Sequence, residues 1–268
     1  MFNFINLVDS DLSKEYSLDK FREKTTITSF VETIFEKPKF ESPSYTFNIP
    51  KISELQEDHF AYEYCIKRKI PKENLSELYF AEDFKKFVDE TMPDHGKELK
   101  EDDPRLIIPF LDENKQLVAF QGRALRDSKI RYITIKISKD SIKYFGVNKL
   151  DLNKEIYVTE GPIDSLFLPN CIATADSNLT RVSSYFPKEK LTLVFDNEPR
   201  NKDICKLMDD AIDRHFKVCI WPEMIVEKDI NEMICFGGYT KEEVLDIIQK
   251  NTFVNLRAKI EFINWSKT

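Results

Sequence analysis

The chain has 268 residues, 41% hydrophobic and 32% charged, with a net charge of −7, enough for one large domain or two small ones. The negative charge argues against a protein that coats DNA uniformly, no apolar run nears the roughly 20 residues of a membrane span, and Met1-Phe2-Asn3-Phe4-Ile5-Asn6 lacks the basic start of a secretory signal, so a cytoplasmic place with no membrane contact is expected. Five scattered cysteines, Cys65, Cys171, Cys205, Cys219 and Cys235, and three histidines offer no thiolate cluster, so neither disulfides nor a structural zinc is expected.

Residues 1–50 read as a weakly structured connector. Pro38, Pro43 and Pro50 punctuate a Ser- and Phe-rich stretch there. Residues 51–150 read as a mixed α+β subdomain. Phe60, Tyr64 and Cys65 make one helical stripe, and Phe84, Phe87 and Val88 make another, with Pro71 between them. Residues 106–110 and 117–121 read as a hairpin through Asp112-Glu113-Asn114, and 131–135 as a further strand. Residues 105–149 hold ten basic and four acidic side chains, net +6. A basic middle beside an acidic site suits a polyanion held next to metal ions.

From residue 155 the pattern alternates. Strands are expected at 155–159, 171–175, 191–195 and 217–221, with helical stretches near 162–168, 178–185, 203–215 and 240–250. Such alternation implies βαβ units and a mostly parallel four-stranded sheet over residues 151–268. In an open α/β sheet, ligands gather at the carboxyl ends of the strands.

Those ends carry acids. The run Ile156-Tyr157-Val158-Thr159 is followed by Glu160-Gly161-Pro162-Ile163-Asp164, and Leu191-Thr192-Leu193-Val194-Phe195 by Asp196-Asn197-Glu198-Pro199-Arg200. Gly161 lets the chain turn, and Pro162 suits the first position of a helix. Asp164 either faces the same cavity or stabilises that helix's N-terminus. In an extended segment Asp196 and Glu198 point the same way. Lys228-Asp229-Ile230-Asn231-Glu232 adds a third acidic element; alone, Asp229 would be an ordinary helix N-cap. Hard divalent cations choose such oxygen clusters. Two ions about 4 Å apart can activate a hydroxyl and stabilise the leaving group of a phosphoryl transfer. Mutual repulsion raises carboxylate pKa values, which would let Glu160 accept a proton.

Glu160-Gly161 and Asp196-Asn197-Glu198 resemble the TOPRIM domain of primases, topoisomerases and some nucleases, with Glu198 in place of that family's last Asp. The sequence also resembles the primase family of T-even-type phages. Pro104-Arg105-Leu106-Ile107-Ile108-Pro109, Phe120-Gln121-Gly122-Arg123-Ala124-Leu125, Tyr132-Ile133-Thr134-Ile135, Tyr144-Phe145-Gly146-Val147, Glu160–Phe167, Asp196-Asn197-Glu198-Pro199-Arg200 and Lys228-Asp229-Ile230-Asn231 carry this in the same order, covering roughly residues 55–260. That resemblance implies a TOPRIM domain at 151–268 preceded by a primase-type subdomain, and RNA primer synthesis from ribonucleoside triphosphates on a single-stranded DNA template. It implies Glu160, Asp196 and Glu198 as catalytic residues and, with Asp229, as ligands of Mg²⁺ or Mn²⁺. Gly161, Asp164 and Asn231 would support them. It further implies Arg105, Arg123, Arg131, Tyr132 and Lys143 as template or nucleotide contacts. Arginine forks suit phosphates, and aromatic faces suit single-strand stacking.

Expected partners are a replicative helicase and either a separate zinc-binding protein or a single-strand-binding protein. The family's N-terminal zinc domain has no counterpart in this sequence, so the zinc module would be encoded separately, start-site choice relaxed, or efficient initiation lost. Two alternatives stand beside a primase. A TOPRIM nuclease would cut DNA without nucleotides, and a non-catalytic module would dock on helicase or single-stranded DNA.

Overall fold

The computed structural model describes residues 47–93, 95–96, 99–137 and 143–268. The expected connector over residues 1–50 therefore lies almost wholly outside the described residues. The first helix, α1 (Phe60–Lys67), starts where the His59 ring accepts from the Ala61 N–H at 3.2 Å, and it buries Ala61 and Cys65. After β1 (Tyr79–Ala81), Asp83 caps α2 (Phe84–Thr91) by accepting from the Lys86 N–H. The strands β2 (Arg105–Leu111), β3 (Leu117–Ala124) and β4 (Tyr132–Lys136) complete an antiparallel sheet in the order β1-β2-β3-β4. The expected hairpin is β2–β3. The Asp112 side chain shapes its turn, accepting from the N–H groups of Asn114 and Gln116. Pro109 sits on β2 beyond the last pairing with β1, so its missing N–H breaks no ladder bond.

The second sheet contains β5 (Ile156–Thr159), β6 (Cys171–Ala173), β7 (Leu191–Leu193), β8 (Lys217–Cys219) and β9 (Thr252–Phe253), in the order β6-β5-β7-β8-β9. The first four are parallel, and β9 is antiparallel to β8. The sheet thus has five strands rather than the expected four. The additional strand is only two residues long and offers no apolar run to read. Between and after the strands lie α3 (Pro162–Ser165), α4 (Lys202–Asp213), α5 (Ile230–Cys235), α6 (Lys241–Lys250) and α7 (Asn255–Trp265). The stretch expected as a helix at 178–185 is a 3-10 turn over Leu179–Ser184.

Side-chain spacing explains these helices. Ile204, Cys205, Met208, Ala211 and Ile212 form the buried stripe of α4, and Asn201 caps it by accepting from the N–H groups of Asp203 and Ile204. Thr240 and Glu243 form a capping box at the start of α6. One hydrophobic cluster runs from Ile52 and Phe110 through Ile156 and Leu193 to Trp265. Phe145 joins the sheets: its ring lies 5.8 Å from that of Phe110, and its backbone bridges to Ala173. All five cysteines are free. Among the described residues no helix is long and apolar enough to cross a membrane.

Candidate active-site cleft

Val158 of β5 pairs with Leu193 of β7, so the two central parallel strands end side by side. The chain leaves β5 at Glu160 and leaves β7 through Val194 and Phe195 to Asp196. A cleft of about 260 Å³ opens there. One wall carries Glu160, Asp164, Asp196 and Asp229; the other carries Arg68, Gln121, Arg123, Arg131 and Tyr132. Of the larger cavities among the described residues, those of about 530 and 590 Å³ gather two carboxylates each, and one of about 370 Å³ gathers Glu101, Asp102, Asp103 and Asp127 away from the ends of β5 and β7.

Local hydrogen bonds fix the acidic wall. Glu160 accepts from the Ser177 hydroxyl at 3.1 Å. Asp164 accepts from the backbone N–H of Asn231 at 2.9 Å, which ties α3 to the start of α5. Gly161 has an ordinary φ of −91°, so its need is steric: a Cβ there would lie 2.5 Å from Asp164 Oδ2. Asp229 is the N-cap of α5, accepting from the Glu232 N–H at 2.7 Å, and it also lines the cleft. The N-cap and cleft roles of Asp229 therefore coexist.

Asn197 points away from its two acidic neighbours. Its amide donates to the Ile225 and Glu227 carbonyls and accepts from Trp265 Nε1 at 2.9 Å. This latch holds the Asp196 loop against the loop that carries Lys228. Lys228 Nζ lies 3.7 Å from Asp196 and 3.3 Å from Glu198. Glu198 does not line the cleft; it pairs with this lysine, its charge helps to raise Glu160, and it also accepts from Asn201.

The electrostatics follow from crowding. Burial, then the charges of Asp164, Glu160 and Asp229, push Asp196 up to about 8. Glu160 is raised by burial against the opposing pull of Ser177 and Lys228. Burial likewise raises Asp164 and Asp229, which repel one another. Burial works against the charge of Lys228, but Asp196 and Glu198 outweigh it and raise its pKa. As the side chains stand, among the described residues no three Asp, Glu, His or Cys groups are arranged to grip an ion. The donor chemistry still fits a hard divalent cation: the donors are carboxylate oxygens, crowded until their own charge is unfavourable.

The basic wall departs from expectation in part. Arg123, Arg131 and Tyr132 line the cleft. Arg123 lies inside β3. Gly122 serves packing on the opposite face, where a Cβ would strike the Phe84 ring. The Arg123 guanidinium sits 4.5 Å over the Tyr132 ring and donates to its hydroxyl. Arg105 does not line the cleft. It is 1% exposed, and its N–H groups are taken up by Asp103 at 2.7 Å, the Gly122 carbonyl at 2.9 Å and the Ile130 carbonyl at 3.0 Å. Lys143 also lies off the cleft, paired with Asp176 at 3.3 Å.

Asn231 is 2% exposed and exchanges hydrogen bonds with Arg68, accepting from its guanidinium at 2.8 Å and donating to its carbonyl at 2.7 Å. Sequence reasoning gave no role to Arg68, Lys228 or Gln121. The signal for Arg68 is the basic run Lys67-Arg68-Lys69 at the end of an amphipathic helix. The other two lie inside motifs quoted for their neighbours.

No family model matches the chain. The chain is similar to the DNA primase of Enterobacteria phage T4, with 33% identity over 270 residues, covering 98% of this chain and 78% of that protein. Among solved structures, it resembles the zinc-binding and RNA polymerase domains of Aquifex aeolicus primase, with a TM-score of 0.55 and 19% identity over 79% of this chain and 64% of that one. It also resembles the DnaG catalytic core, with a TM-score of 0.56 and 13% identity over 75% and 76%. The DnaG primase catalytic domain bound to ssDNA gives a TM-score of 0.55 and 12% identity over 74% of each chain. At these identities the likeness to solved structures is one of fold.

Proposed function

This chain belongs to the family of the phage T4 DNA primase, and we propose that it builds short RNA primers on single-stranded DNA in the cleft between its carboxylate and arginine walls. Its enzyme class is a DNA-directed RNA polymerase of the primase type, acting in DNA replication. The parallel strands ending in Glu160 and Asp196 support reading residues 151–268 as a TOPRIM domain, with 51–150 as the primase-type subdomain before it.

The observation that carries the proposal is the meeting of two walls. Carboxylates from separate segments, at Glu160, Asp196 and Asp229, face Arg68, Arg123 and Arg131 across one cleft. A 3′-hydroxyl attacks the α-phosphate of a ribonucleoside triphosphate, and pyrophosphate leaves. Glu160, whose proton affinity is raised, accepts the hydroxyl proton. Asp196 and Asp229 would hold Mg²⁺ or Mn²⁺, and Glu198, now ion-paired with Lys228, would join them where the cation displaces that lysine. A pair of such ions, when bound, supplies charge neutralisation and a more acidic attacking hydroxyl. Arg68, Arg123 and Arg131 pair with phosphates. Tyr132, 40% exposed, offers a stacking face to a base. Single-stranded DNA is the template, and a replicative helicase is the partner this reading adds.

The test is synthesis from labelled ribonucleotides on defined single-stranded templates. Short RNA complementary to the template, dependent on divalent metal, is the expected product. Metal-dependent cutting of DNA without nucleotides would favour the nuclease reading instead.

A further inference from the structure

Three polar atoms beside the cleft are buried and without a hydrogen-bond partner among the described residues: Gln121 Oε1, the Arg123 Nε–H and the Tyr64 hydroxyl. Gln121 and Arg123 stand two residues apart on β3, so they share a face of the sheet. Their partners across the ladder, Thr134 and Tyr132, share that face too. Gln121 is 3% exposed, and its Nε2 donates to Thr134 Oγ1 at 3.0 Å. That bond takes one N–H of the amide and leaves the oxygen open. Arg123 is pinned by Tyr132, and its guanidinium lies 5.8 Å from the Tyr64 ring. A buried acceptor without a donor is costly, and Gln121 holds one in the lining of the cleft that carries Glu160 and Asp196.

The chemistry of these atoms narrows the ligand. A phosphate has no proton to give a carbonyl oxygen. Thr134 takes one of the two N–H groups of the amide, so an adenine edge is the competing ligand, and base preference separates the two. A sugar hydroxyl can give a proton to Gln121 Oε1 and accept one from the Arg123 Nε–H. We propose that Gln121, with Arg123 beside it, reads the ribose 2′-hydroxyl and so makes this site select ribonucleotides over deoxyribonucleotides. The inference rests on the primer-synthesis reading, and it adds the group that sets sugar choice.

A site built to hydrogen-bond a hydroxyl rejects the analogue that lacks it, because its own buried group is then left unpaired. The first test uses the unaltered protein with nucleoside triphosphates bearing different 2′ substituents in template-directed synthesis. The 2′-fluoro nucleotide keeps a ribose-like pucker but donates no proton, so it should be used about tenfold or more less efficiently than the ribonucleotide, as the 2′-deoxy one should be. The 2′-amino nucleotide, a donor, should be used within a few-fold of the ribonucleotide. Equal use of 2′-fluoro and 2′-hydroxyl nucleotides would overturn the proposal. The second test is Gln121→Met, which keeps the length of the side chain and removes the acceptor. The ratio of ribonucleotide to deoxyribonucleotide kcat/KM should fall about tenfold or more. A shift in base preference at unchanged sugar preference would instead assign Gln121 to the base and contradict the inference. If the unaltered protein makes no template-dependent product from any nucleotide, the primer-synthesis reading itself fails, which is a separate outcome.

Discussion

Arg105 and Arg123 lie on adjacent strands of one hairpin and do opposite work. Arg105 pairs with Ala124 across the ladder, while Arg123 pairs with Leu106. Cross-strand partners share a face, so the two arginines point to opposite sides of the sheet. The face of Arg105 packs on α2, where its guanidinium lies 5.3 Å from the Phe84 ring; the face of Arg123 opens on the cleft. Arg105→Ala should cost about 3 kcal/mol or more of folding stability, because it leaves Asp103 and two backbone carbonyls without their donor. Urea unfolding measures this. Arg123→Ala should change stability by about 1 kcal/mol or less yet reduce primer synthesis at least about tenfold. Both arginines carried the same motif signal, and only the register separates them.

Asp196 belongs to the same scale. Its folded pKa, about 8, lies above the ordinary aspartate value, so the folded state binds this proton more tightly than the unfolded one. Stability of the metal-free protein should therefore fall as pH rises from about 4 to about 8. Adding Mg²⁺ should reverse the loss at the upper end of that window. Asp196→Asn should flatten the pH dependence and weaken the stabilisation by metal. Thermal melts at several pH values, with and without Mg²⁺, measure both. A metal effect undiminished in Asp196→Asn would remove this residue from the ligand set.

At the scale of elements, the Asn197 side-chain amide helps to tie together the loops after β7 and β8. Asn197→Ala removes its bonds to Ile225, Glu227 and Trp265 and should cost about 2 kcal/mol. Synthesis should fall with it, since Asp196 and Lys228 ride on the two latched loops. The cap of α2 makes a separate prediction. Burial would raise the Asp83 pKa, but the N–H groups of Lys86, Asp102 and Lys85 outweigh it and lower it. Its folded pKa thus lies below its unfolded one. Asp83→Ala should cost about 1 kcal/mol near neutral pH, and the difference should shrink as pH falls through the folded pKa.

Elements with a wide apolar stripe and a capping residue, such as α4 and α6, were legible in the sequence. So were the strand-end acids, because a short β-branched run followed by a carboxylate marks a place in an α/β sheet. The two-residue β9 carries no periodicity. The 3-10 turn at 179–184 carries an apolar spacing, Leu179 and Val182, too short to separate it from an α-helix. The ties between Asn231 and Arg68 join segments 163 residues apart, which no local pattern encodes.

At the scale of the whole molecule, the site exists because two sheets share one core. The arginine wall comes from α1, β3 and the approach to β4, and the carboxylate wall from the ends of β5 and β7 and the cap of α5. Phe110, Phe145 and Ile156 belong to the common cluster between them. Neither wall suffices alone: the acids repel one another without a cation, and the arginines bind phosphate without chemistry. The most direct measurement is template-directed primer synthesis by the double variant Asp196→Ala with Glu198→Ala, compared with the unaltered chain at equal folded concentration. Synthesis should fall at least about a hundredfold while the protein stays folded. Undiminished synthesis by the folded double variant would contradict the assignment of this cleft as the place where the primer is made.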